Sequence, residues 1–300
     1  MLENPLHGEH KVRLNDLRLG IYEKALPQNL SWQQRLLLAK DLGFCFVEMS
    51  VDETDERLER LSWTTEERLD LIHAIIESKV TVPSMCLSGH RRYPLGSKDA
   101  SVREKAIKLM HQAILLAVDV GIRVIQVAAY DEYYAPSDGE TDALFRQSFA
   151  ICEQMAKQYQ VMLSFEIMDT PYFNSIDAFI ALKREFTSCW TSVYPDVGNL
   201  SAWGNDVAQQ LGKGIDWTTA IHLKDTIAVT KDAPGVFKEV PFGSGCVDFP
   251  LVFRTLKHLN YRGPFLIEMW TGKEKNPEQA IRDARAYILQ HMYEAGFLES

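Results

Sequence analysis

A single (β/α)8 barrel is the fold class this sequence predicts, and three observations predict it. Short apolar runs alternate eight times with longer helix-patterned stretches between residue 18 and the C-terminus. Most of those runs show little internal polar alternation, as strands covered on both faces do. No Pro-, Gly- or Ser-rich linker breaks the series. A doubly wound open sheet is the rival, but it usually needs fewer strands, and no GxGxxG follows the first run. The expected organisation is a flexible N-terminal arm over residues 1–17 and one barrel domain over 18–300, with its site at the carboxyl ends of the strands.

The elements follow in order. LRLGIY (17–22) leads into SWQQRLLLAKDLG, where Ser31 is an N-cap candidate and Gly43 a stop. CFVEMS (45–50) is followed by the acidic run SVDETDERLER, read as a solvated face, and by TTEERLDLIHAIIESK, with Thr64 or Thr65 and a following Glu as a capping box. VTVPSMCLS (80–88) precedes SVREKAIKLMHQAILLAVDVG, closed by Gly121, and RVIQVAAY (123–130) precedes TDALFRQSFAICEQMAKQ. VMLSFEIM (161–168), TSVYPD (191–196) and TAIHLKD (219–225) are followed by shorter or less regular helices. FLIEMW (265–270) precedes the terminal NPEQAIRDARAYILQHMYEAG.

Bulk properties narrow the function. The 300 residues are 46% hydrophobic and 24% charged, enough for a sizeable core, and the net charge of −9 argues against a nucleic-acid surface. A small anionic substrate needs only a few local cations and stays compatible. Five cysteines, an odd number with no CxxC, read as reduced thiols of a cytoplasmic protein, with Cys45 and Cys86 buried in strands. No apolar run reaches the roughly 20 residues of a membrane helix. MLENPLHGEHKVRLND lacks the apolar segment of a signal peptide.

Four strand ends each carry one metal-competent side chain: Glu166 in SFEIMD, Asp196 in VYPDVGN, His222 in AIHLKD and Glu268 in FLIEMW. Strand ends converge on one rim of a barrel, so four consecutive staves bring these groups together. Taken singly, a carboxylate there is more often an N-cap or a salt-bridge partner, and a histidine a satisfied core residue. Taken together they make an oxygen-rich donor set with one imidazole, suited to one divalent Mn²⁺, Mg²⁺, Co²⁺ or Zn²⁺. Such an ion also accounts for carboxylates inside apolar runs, since a buried charge must be paired or metal-bound. A metal with open positions polarises the carbonyl of a hydroxy-ketone, and a positioned carboxylate then removes the neighbouring proton. Glu166 and Glu268, three staves apart, approach from nearly opposite sides. Inversion at a carbon requires that arrangement, whereas an aldose–ketose isomerase manages with one base on one face.

LGIYEKALP, GFCFVEMSVDETDERLERL, VPSMCLSGHRRYPLGS, GIRVIQVAAYDEYY, YPDVGNLSAWGNDV, IHLKDT, VPFGSGCVDF and FLIEMW resemble the L-ribulose-5-phosphate 3-epimerases (L-xylulose-5-phosphate 3-epimerases) of bacterial ascorbate and related sugar-acid pathways, over residues 18 to 297. The resemblance implies a xylose-isomerase-like barrel, usually dimeric, that interconverts L-ribulose 5-phosphate and L-xylulose 5-phosphate through a metal-stabilised enediolate. It implies Glu166, Asp196, His222 and Glu268 as metal ligands, Zn²⁺ or Mn²⁺ foremost, and the two glutamates as the acid/base pair. Gly89 stands where the family commonly has Ala, and Ser244 where it commonly has Glu. The first is expected only to loosen the backbone; the second removes a charge near the rim.

Around the rim, His90, Arg91 and Arg92 form the densest basic loop near a strand end and are phosphate candidates. Lys224 and the PFGSG loop, with the backbone N–H groups of Gly243 and Gly245, compete for that role. A surface charge cluster is the plain alternative for the first, a turn for the second. Glu23 and Glu48 end the first two strands and are candidates to meet sugar hydroxyls or to steady His222, with a plain salt bridge the favoured alternative for either. Asn199 and Tyr172 lie just beyond ligand-bearing strands, and Trp203 and Trp270 are candidate pocket walls. Rival functions are a sugar-phosphate aldose–ketose isomerase (hexulose-6-phosphate isomerase-like), a metal-dependent phosphodiesterase, which would want more histidines at strand ends, and a non-catalytic sugar-binding protein.

Overall fold

The computed structural model describes residues 11–299. Leu19–Tyr22 (β1), Phe46–Val51 (β2), Ser84–Leu87 (β3), Val124–Val127 (β4), Met162–Glu166 (β5), Thr191–Tyr194 (β6) and Ile221–Leu223 (β7) are parallel staves. A hairpin, Asp225–Ile227 (β8) and Val236–Val240 (β9), then intervenes before the last stave, Phe265–Ile267 (β10). The paired order is β6-β5-β4-β3-β2-β1-β10-β7. The ring closes between β6 and β7 through isolated bridges, with Thr219 N donating to Val193 O at 3.1 Å and His222 N to Pro195 O at 2.9 Å. The eight-stave barrel predicted above is therefore the observed architecture, and an open doubly wound sheet is not.

Helices cover the outside: Trp32–Asp41 (α1), Asp55–Leu58 (α2), Thr65–Ser78 (α3), Ala100–Val120 (α4), Gly139–Tyr159 (α5), Ile176–Lys183 (α6), Val197–Ala202 (α7), Val207–Gly214 (α8), Phe249–His258 (α9) and Pro277–Glu294 (α10). Their ends follow local chemistry. Ser31 and Thr64 cap α1 and α3 in reciprocal capping boxes with Gln34 and Glu67. α4 stops at Gly121, whose φ of 83° only glycine adopts freely. The helices after β5 and β6 are short, as their irregular patterns imply.

The core lies between the staves and this outer layer. Every residue of β1, β2, β3 and β6 is buried, which explains the missing polar alternation. Phe149 packs on Phe165 with ring centroids 4.6 Å apart, joining α5 to β5.

Some expectations fail. Residues 1–10 of the expected arm lie outside the described residues, and residues 12–17 are not loose. Val12 N donates to Phe297 O and Glu299 N to Val12 O, both at 2.9 Å, and Leu14–Asp16 form a 3-10 turn. All five cysteines are free, but Cys45 is exposed, one residue before β2 begins. At Gly89 a Cβ would lie 2.7 Å from Leu58 Cδ2, the movable end of an α2 side chain, and no nearer than 3.4 Å to backbone. No helix among the described residues is long and apolar enough to cross a membrane.

Candidate active site

Parallel staves end on one rim, and the four predicted donors meet there. One donor atom from each of Glu166, Asp196, His222 and Glu268 falls within 4.8 Å of the others, and all four residues are buried. Glu166 ends β5, and the bridge that closes the barrel sets Asp196 beside His222. Glu268 follows β10, held by its backbone N–H to Leu223 O at 2.9 Å. Around His222 Nδ1 lie Glu166 Oε1 at 3.3 Å, Glu268 Oε2 at 3.6 Å and Asp196 Oδ2 at 3.7 Å.

Each donor is aimed by a second contact. Asp196 divides its carboxylate: Oδ1 caps α7 by accepting from Asn199 N at 2.8 Å, and Oδ2 faces the cluster. Glu48 Oε1 lies 3.1 Å from His222 Nε2, while its other oxygen accepts from Ser84 Oγ at 2.7 Å. Gln126 Nε2 lies 3.4 Å from both ring nitrogens, placing its amide against the imidazole face. Lys224 Nζ reaches Asp196 Oδ2 at 2.8 Å and Glu268 Oε2 at 2.9 Å.

Electrostatics at this buried rim are demanding. Burial pushes Glu268 up to about 7 against the pull of Lys224 and His222, with the Glu166 and Asp196 charges adding to the rise. Asp196 is buried too, yet Lys224 and His222 hold it down at about 2. Against the effect of burial, Glu48 and the surrounding carboxylates raise His222 well above the ordinary imidazole range. Asp196 Oδ2 and Glu268 Oε2 are buried without a well-directed hydrogen bond. Crowded carboxylates, one imidazole nitrogen and two underserved oxygens fit a divalent cation.

The remaining candidates separate. A cavity of about 50 Å³ adjoins the cluster, lined in part by Lys24, Arg91, Asn199, Lys224, Lys238 and Trp270. Of the HRR triplet only Arg91 lines it, braced by Tyr133 and Tyr130 rings 4.6 and 5.6 Å away. His90 is a core histidine, buried with Nε2 3.1 Å from Ala106 O. Arg92 turns outward to Asp55 at 2.6 Å. Glu23 belongs to a buried ion cluster, 2.9 Å from Arg35, 3.0 Å from Arg57 and 2.7 Å from Arg60, and does not line the cavity. Glu48 lies against His222 and not in the cavity lining. Tyr172 points away to Asp142 at 2.7 Å. Trp203 lies behind the site, donating Nε1–H to Met168 O at 3.2 Å.

The PFGSG loop does not offer its N–H groups to a ligand. Gly243 N and Gly245 N each donate to Asp225 Oδ2 at 2.9 Å, so the anion of that turn is the protein's own. A Cβ on Gly245 would lie 2.1 Å from Asp225 Oδ1, which is why glycine stands there. Ser244 is an exposed residue of the same turn. Sequence reasoning missed Gln126, Asp225 and Lys238. Only Asp225, next to Lys224 at a strand end, carried a positional signal.

Residues 36–291 match the family model of the xylose isomerase-like TIM barrel. The chain is 57% identical to the protein SgbU of Escherichia coli K12, over 94% of this chain and 98% of that one. It is 52% identical to the L-ribulose-5-phosphate 3-epimerase UlaE of Escherichia coli O157:H7, over 94% and 97%. A solved L-ribulose 3-epimerase superposes with a TM-score of 0.74 at 17% identity, over 93% of this chain and 95% of that one, a likeness of fold.

Proposed function

Because the chain belongs to the L-ribulose-5-phosphate 3-epimerase family on the xylose isomerase-like barrel, we propose that it is an isomerase that inverts C3 of a phosphorylated ketopentose, interconverting L-ribulose 5-phosphate and L-xylulose 5-phosphate. The observation that carries this reading is the convergence of Glu166, Asp196, His222 and Glu268, with the two glutamates delivered from staves three places apart. Glu166, Asp196, His222 and Glu268 would hold one divalent cation; Zn²⁺ or Mn²⁺ suits the set, and Co²⁺ or Mg²⁺ is compatible. When bound, that ion supplies Lewis acidity at the ketose carbonyl, making the adjacent C3 proton easier to remove.

The protein's own groups do the proton work. One glutamate takes the C3 proton from one face of the sugar, and the other returns a proton to the opposite face. Glu48 fixes the imidazole so that Nδ1 faces the cluster. Lys224, against both Asp196 and Glu268, counters the surplus of carboxylate charge and supplies N–H donors toward the substrate. Trp270 walls the cavity and limits water. Arg91, the one member of the basic triplet that lines the cavity, would meet the phosphate. The family resemblance further supports a cytoplasmic homodimer.

The test is turnover in D₂O. The metal-loaded protein should place deuterium at C3 of L-ribulose 5-phosphate while L-xylulose 5-phosphate accumulates. Deuterium at C1 with an aldose product would replace the epimerase by an aldose–ketose isomerase.

A further inference from the structure

The cavity beside the four donors is about 50 Å³, and a neighbouring cavity of about 460 Å³ shares Lys224, Glu268 and Trp270 with it. Lys238 lines the small one, Glu239 and Val240 the large one; regular alternation is interrupted here, because Glu239 has a φ of 58° and the β8–β9 register shifts. Their charges differ. The large cavity is ringed by Asp225, Glu239, Glu274 and Asp283, and its Lys273 is already paired with Glu239. A phosphate dianion is repelled there. The small cavity gathers Lys24, Arg91, Lys224 and Lys238 around Glu166, Asp169 and Glu268. Four cations against three carboxylates make that lining net positive, and a divalent ion on the two glutamates would make it more so.

Two of those four cations hold carboxylates, and the third, Arg91, meets a tyrosine hydroxyl while its Nε is buried without a partner. Lys24 lies 2.5 Å from Asp52, Arg91 donates to Tyr130 Oη at 3.1 Å, and Lys224 holds Asp196 and Glu268. For Lys238 no described residue lies within ion-pair or side-chain hydrogen-bond distance. Partial burial against the cavity wall and the like charges of Arg91 and Lys224 lower its pKa, outweighing the pull of Asp169 and Glu268. Gathering like charges without a partner is unfavourable unless an anion arrives to join them. The strand bearing it is anchored at its base. The Asp225 carboxylate gathers the N–H groups of Thr226, Gly243, Gly245 and Val247 at 2.9 to 3.3 Å, and Phe237 packs on Trp203 with centroids 5.7 Å apart.

We propose that Lys238, carried over the rim by the β8–β9 hairpin, is a specificity-determining residue that binds the phosphoryl oxygens of the substrate beside Arg91. The proposal rests on the sugar-phosphate reading above and adds to it a residue from outside the eight staves. It assigns the hairpin a purpose: to deliver a cation that selects a phosphorylated ketose over the free sugar.

Lys238→Met and Lys238→Arg test it, since the residue lies on an exposed strand and neither change leaves a core cavity. With the metal-loaded protein, KM for L-ribulose 5-phosphate should rise about 10- to 100-fold in Lys238→Met. Its kcat should stay within a few-fold, and kinetics on free L-ribulose should not change. Lys238→Arg should recover most of the loss. Inorganic phosphate, titrated calorimetrically, should bind Lys238→Met more weakly by a similar factor. Equal effects on both sugars, or unchanged phosphate affinity, overturn the proposal. If the wild-type protein turns over neither sugar, the functional reading falls, and the phosphate titration still decides the role of Lys238.

Discussion

Glu48 Oε1 stands 3.1 Å from His222 Nε2, and that contact leaves Nδ1 as the ring nitrogen facing Glu166, Asp196 and Glu268. A carboxylate behind a ligating histidine fixes its tautomer and raises its basicity. Glu48→Gln keeps the shape and removes the charge. Divalent-ion affinity, measured by competition with a chelator, should fall about 10- to 100-fold while the fold survives. Unchanged affinity would mean that the imidazole does not ligate.

Protons and metal compete for the same donors. In the metal-free protein Glu268 sits at about 7 and His222 lies well above its ordinary range, and both must lose their protons to bind a cation. Affinity should therefore rise with pH through about 7, with protons released on binding, as calorimetry in buffers of different ionisation enthalpy would show. The stability consequence has the same sign. Both groups have folded pKa values raised above their unfolded ones, so the native state holds more protons, and metal-free stability falls as pH rises through neutrality. Metal should remove that fall. Affinity independent of pH between 6 and 8 would contradict the assignment.

Glu166→Gln and Glu268→Gln should each cut interconversion of the two ketose phosphates by about 100- to 10,000-fold, the usual worth of a positioned acid or base. Circular dichroism should show the barrel intact. A variant that epimerised at the wild-type rate would remove that glutamate from the chemistry.

The four donors were legible because parallel topology is severe: a polar residue at the end of an apolar run in each of four successive staves has one rim to go to. The direction of side chains within loops was not. Residues 88–91 form a 3-10 turn, in which successive residues point about a third of a turn apart. His90, Arg91 and Arg92 therefore go to the core, the cavity and the solvent, although they adjoin in sequence. The partners of Asp225 and the position of Lys238 were hidden for another reason. They depend on an antiparallel hairpin inserted between β7 and β10, whose exposed strand β9 carries no apolar pattern to announce it. Glu23 looked like a rim residue because it directly follows β1, but the arginines that claim it come from α1, α2 and the turn after α2.

That last cluster has its own consequence. Glu23 is fully buried and is the shared partner of three guanidinium groups and of Ser50 N at 2.8 Å. Glu23→Gln leaves those cations short of their counter-charge and should cost about 3–5 kcal/mol of stability, read as a lower denaturation midpoint. KM for the ketose phosphate should not move in the protein that remains folded. A raised KM at unchanged stability would return Glu23 to the substrate.

Anomalous diffraction from crystals grown with Mn²⁺ or Zn²⁺ tests the arrangement most directly. One peak per chain should appear among Glu166 Oε1, Asp196 Oδ2, His222 Nδ1 and Glu268 Oε2, at roughly 2.0–2.2 Å from each of them. A peak elsewhere, with these four side chains left to Lys224 and to one another, would contradict the account.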